Sequence, residues 1–67
     1  MTYGEKIQGM IDQINKLYTD AEWLRDLATL EEKQYWNAHR KLFYDADAPL
    51  RKLNHSLSDN RASTNID

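Results

Sequence analysis

Cysteine is absent from the 67 residues, which excludes a disulfide framework, a thiolate nucleophile, an iron–sulfur centre and a cysteine-based zinc site. That absence fits a reducing compartment. Glycine (2) and proline (1) are scarce, so the two strongest structure breakers hardly act, and no window alternates strictly between apolar and polar as an exposed strand does. No apolar run approaches the roughly 20 residues of a membrane span. No basic stretch with an apolar core opens the chain, so the expected location is the cytoplasm. Acidic residues slightly outnumber basic ones, 11 to 9, leaving no surplus of positive charge for phosphate backbones. A chain about half the length of a typical domain holds one small domain with little core. Such chains commonly gain the missing apolar burial by self-association, and a homodimer is expected.

What is present is helical periodicity. Ile7, Met10, Ile14, Leu17, Ala21, Leu24 and Ala28 recur at alternating steps of three and four, with Tyr3, Ile11 and Tyr18 widening the same face. Thr2 followed by Glu5 forms a capping box, which starts the first helix near Tyr3. Gly4 and Gly9 lie in its first turns and cost about 1 kcal/mol each relative to alanine, so this end frays unless packing holds it. A second periodic set runs Trp36, His39, Phe43, Ala46, Leu50, Leu53 and Leu57. Thr29 and Glu32 form another capping box, which places the turn between the two helices around Leu27 to Leu30. Thr19 and Glu22 repeat the pattern, with Tyr18 and Trp23 as a hydrophobic staple. The unbroken phase of the first set argues against a helix start there.

Pro49 has no amide hydrogen and its ring clashes with the carbonyl of Asp45, so a kink at 45–48 is predicted, with Asp47 capping a short last helix. The expected fold is therefore all-α: an antiparallel helical hairpin with a short third helix after Pro49, completing a bundle by homodimerisation. Residues 1–57 form one helical domain, with helices at about 3–28, 30–45 and 48–57. The polar stretch 58–67 reads as a disordered tail. Ile7, Ile14, Leu17, Leu24, His39, Phe43, Leu50 and Leu53 are the expected seam of core and dimer.

Little in the chain points to reaction chemistry. His39 sits in an apolar seam with no His, Asp or Glu at helical spacing beside it, so it reads as an interface histidine rather than a metal ligand. His55 lies near the end of the helical region. The carboxylates sit at helix starts or four residues from a base (Asp12 with Lys16, Lys41 with Asp45, Asp47 with Arg51), which are structural placements. No glycine-rich phosphate loop is present, and the serines Ser56, Ser58 and Ser63 have no base in a folded setting. Two rods around one seam leave little volume for a pocket that shifts a pKa. No enzyme activity, cofactor or metal is expected.

Two surfaces stand out. Trp23, Leu27 and Leu30 point almost opposite the seam on a helical wheel, and one hairpin cannot bury both faces of a helix. Either a further layer covers them or they bind another protein, with Trp23 as the anchor. Trp36, Arg40 and Tyr44 offer a polar aromatic face, with Trp36 nearer the seam. The second half carries Lys33, Arg40, Lys41, Arg51 and Lys52 against Glu31, Glu32, Asp45 and Asp47, a balance of +1. These features give the expected function: a small protein-binding regulator or inhibitor that sterically occupies a larger partner's surface. Size alone suggests a phage or plasmid accessory protein. One alternative is a dimeric nucleic-acid-binding protein using Arg40, Lys41, Arg51 and Lys52 of the second helix; another is a structural assembly subunit.

Overall fold

A computed structural model describes residues 1–67 as three helices: α1 (Tyr3–Leu27), α2 (Leu30–Ser56) and α3 (Asp59–Ala62). Both capping boxes form. The Thr2 hydroxyl accepts from the Glu5 amide while the Glu5 carboxylate accepts from the Thr2 amide, and Thr29 and Glu32 repeat this at α2. Ala28 and Thr29 alone turn the chain, so α1 and α2 lie antiparallel. Cross-helix hydrogen bonds show the register: Asn54 to Gln8, Arg40 to Tyr18 and Arg25 to Asn37 span 46, 22 and 12 residues as the turn is approached. Thr19 caps nothing. Its hydroxyl donates to the Asn15 carbonyl inside an unbroken α1.

Three differences from the sequence expectation have physical reasons. First, α2 does not break at Pro49 but runs through it to Ser56. Asp45 and Pro49 are both exposed, so water can reach the Asp45 carbonyl that Pro49 leaves without a donor. Asp47 accordingly caps no helix and instead pairs with Arg51 one turn on. Second, the short third helix lies at 59–62 rather than 48–57, with the Ser58 hydroxyl as its cap. Third, the stretch 58–67 is ordered against the start of α1. The Tyr3 amide donates to the Thr64 carbonyl at 2.8 Å, and the Ile66 amide to the Met1 carbonyl at 3.2 Å. Thr2 and Asn65 pair as an antiparallel bridge, and the Met1 ammonium meets the Asp67 carboxylate.

Gly4 gives this packing its room. A side-chain carbon placed there would come within 3.1 Å of the Ala62 Cβ and 3.2 Å of the Ala62 carbonyl oxygen. Beside it, the Arg61 guanidinium lies 4.3 Å from the centre of the Tyr3 ring. The helix start that glycine weakens is thus held by the far end of the chain.

The whole is a rod of 49 × 18 × 13 Å, two helices thick along most of its length. Its radius of gyration of 15.4 Å exceeds the roughly 11 Å of a compact chain of this length. Only Ile7, Ile11 and Ala21 are buried. No helix is long and apolar enough to cross a membrane.

Candidate protein-interaction surfaces

The hairpin seam takes one row of each predicted stripe and rejects the other. On α1 the row Ile7, Ile14 and Ala21 turns inward as expected, and on α2 so do Trp36, Phe43 and Leu50, with Leu57 half-buried just past its end. The second inward row is displaced by one residue on each helix. Ile11, Tyr18 and Arg25 face α2 where Met10, Leu17 and Leu24 were expected, and Arg40, Asp47 and Asn54 face α1 in place of His39, Ala46 and Leu53. Of the expected core, then, Ile7 is buried, Ile14, Phe43 and Leu50 are half-buried, and Leu17, Leu24, His39 and Leu53 are exposed.

The reason lies in the polar cluster that bridges the helices at mid-length. The Arg40 guanidinium donates to the Tyr18 hydroxyl and to the Glu22 carboxylate, each at 2.8 Å, and lies 5.3 Å from the Tyr18 ring centre. The Tyr18 hydrogen bond raises the Arg40 pKa above the ordinary guanidinium value, the Glu22 charge adds to it, and partial desolvation opposes both. Arg25 reaching Asn37 and Asn54 reaching Gln8 extend the polar contact toward both ends. Arg40 therefore does not project into solvent with Tyr44, as the wheel suggests. It is folded against α1, while Tyr44 is exposed.

Because Tyr18 and Arg25 meet Arg40 and Asn37, the polar rows of both helices share one side of the hairpin. The rows of Met10, Leu17 and Leu24 and of His39, Ala46 and Leu53 consequently share the opposite side. His39 stands edge-on to Phe43 at 4.8 Å and to Trp36 at 6.0 Å between ring centres. On that side it behaves as part of an aromatic cluster.

At the turn end, Trp23, Leu27 and Leu30 are 64%, 68% and 88% exposed. Trp23 and Leu27 lie one helical turn apart on α1, whereas Leu30 opens α2 after the turn. The three thus gather at the hairpin tip on two helices rather than as one stripe. Trp36 is half-buried.

Of the lysines and arginines on α2, Arg40 is paired with Glu22 and Arg51 with Asp47, which leaves Lys33, Lys41 and Lys52 outside any ion pair. No three His, Asp or Glu side chains come together in a metal-holding group. The largest concavity, about 1220 Å³, is an open groove whose lining includes Gln8, Asp45, Pro49, Lys52 and His55. The chain matches no protein-family model, no curated protein and no solved structure. What it can do is read from its own surfaces.

Proposed function

We propose that this chain is a non-enzymatic protein-binding module, a small regulator or inhibitor that works by covering a surface on a larger partner. The observation that carries the reading is the hairpin tip. Trp23 and Leu27 are large, apolar, adjacent on one helix and exposed, and no other part of the chain comes over them. Tryptophan at the centre of such a patch is the side chain whose truncation most often removes binding energy, because it carries a large apolar area on few rotatable bonds. Leu30 and Tyr44 add exposed apolar and aromatic surface on α2. A rigid two-helix rod would act sterically, since it presents a fixed shape and no reacting groups.

The test is recovery of the tagged chain with its bound proteins from the native cell, alongside Trp23→Ala. Loss of a specific protein, with mass and helicity unchanged, supports the reading; truncating such an anchor costs about 2 kcal/mol or more, roughly a thirtyfold loss of affinity. An identical set of proteins with both chains would remove Trp23 from the interface. Retention on nucleic acid that falls steeply with salt would instead favour phosphate contacts through Lys41 and Lys52.

A further inference from the structure

The side of the hairpin opposite the Arg40 cluster is unpaired along most of the rod. Met10, Leu17 and Leu24 on α1 run parallel to His39, Ala46 and Leu53 on α2, and none carries a lysine, arginine or carboxylate. Leu17, at the middle, is 50% exposed. These rows repeat every seven residues on both helices, the spacing that keeps a seam on one side of a left-handed bundle. They flank the half-buried Ile14 and Phe43, so the apolar band is continuous across the groove between the helices.

The elongated shape leaves surface for an interface. A compact monomer of 7.9 kDa exposes about 4400 Å² by the surface-scaling law. This chain exposes 5302 Å². Summed over all its sides, the rod thus leaves about 900 Å² more in water than a compact chain would, an amount of the order of the roughly 800 Å² that each partner buries in a stable complex of standard size. A second hairpin matches this face in length and in heptad spacing, and its six facing residues carry no opposing lysine, arginine or carboxylate. We infer that two copies of this chain pack through this face about a two-fold axis into a four-helix bundle, with Leu17 and Leu53 in the new core and the Arg40 clusters outside. The tip of Trp23 and Leu27 stays clear of that contact, so this inference stands apart from the partner-binding reading.

Sedimentation equilibrium of the full chain over a concentration series tests it. The expected result is a species of twice the 7.9 kDa chain mass. Leu17→Glu or Leu53→Glu should weaken association by at least about tenfold, since each buries two uncompensated charges in the dimer. Trp23→Glu should leave association unchanged. Because a glutamate in this face also unfolds a chain that depends on dimerisation, the unsubstituted chain gives a second measure: its melting midpoint should rise with concentration, as mass action requires. A single-chain mass at every concentration with a concentration-independent midpoint would overturn the inference. So would a dimer that Trp23→Glu dissociates and Leu17→Glu leaves intact.

Discussion

The two broad sides of this hairpin are built from the same helices and differ in how far they are finished. On one side polar groups meet across the groove, Arg40 with Tyr18 and Glu22, Arg25 with Asn37, Asn54 with Gln8. On the other, Met10, Leu17, Leu24 and Leu53 stand exposed in register, and His39 meets only the rings of Phe43 and Trp36 on its own helix. Hydrogen bonds are directional and can be satisfied by a single neighbour, so two helices satisfy most of the polar side, leaving the Arg40 Nε and one Asp47 carboxylate oxygen without a partner. Apolar burial scales with area removed from water and needs a covering layer, which two helices cannot supply to both their flanks.

The largest effect that would sharpen this contrast is truncation at Ile11, the buried apolar residue of the row that continues as Tyr18 and Arg25. Ile11→Ala should lower unfolding stability by about 2–5 kcal/mol, whereas Leu17→Ala, measured at concentrations where the chain is single, should cost less than about 1 kcal/mol. Denaturant titration reads both, and equal losses would erase the distinction between a finished and an unfinished side. Next comes the polar cluster. Arg40→Ala leaves Glu22 and Tyr18 without their cross-helix donor and should lower the midpoint of the same titration, by less than Ile11→Ala does, with most of the loss absent when Glu22→Gln and Tyr18→Phe are already in place. Full additivity would mean that the cluster does not hold the helices in register.

Two glycines offer a smaller test. Gly9 has open space where a methyl group would go, so Gly9→Ala should stabilise by about 0.5–1 kcal/mol. Gly4→Ala gains the same helical preference but presses on Ala62, so its midpoint should rise less than that of Gly9→Ala or fall. A rise of equal size would mean that α3 does not dock where described. The smallest effect is titration of the first capping box. The Thr2 backbone amide, and then its side chain, hold the Glu5 carboxyl below its ordinary value of 4.5. A depressed carboxylate stabilises the fold above the unfolded value and loses that contribution as pH falls through the folded one. Stability measured from neutral pH downward should therefore fall more steeply below 4.5 for the unsubstituted chain than for Glu5→Gln.

Much of the architecture was legible because the signals were local. The hydroxyl and carboxylate of Thr2–Glu5 and Thr29–Glu32 mark both helix starts within a few residues, and the three-and-four spacing from Ile7 to Leu57 states the helix type. What periodicity could not supply was which edge of a wide apolar stripe faces the partner helix. That choice rests on the pairing of Arg40 with Glu22 and Tyr18, groups 18 and 22 residues apart, and no single-helix pattern contains it. Ile11 and Tyr18, which widen the apolar face of α1, are the hint the sequence holds. The tail was illegible for the same reason: Gly4 reads as a weakness until Ala62 is seen against it. A proline's effect on an isolated backbone predicts a break at Pro49, whereas its position on the exposed side of α2 makes it tolerable.

Because Met1 and Asp67 meet at one end of the rod while the Ala28–Thr29 turn forms the other, the polypeptide is nearly a closed loop. A fusion at either terminus would protrude from the same pole and leave the opposite pole, with Trp23 and Leu27, unobstructed. Tying Asp67 to Met1 with a short linker and cutting between Ala28 and Thr29 would give a permuted molecule in which α2 precedes α1 with every packing contact kept.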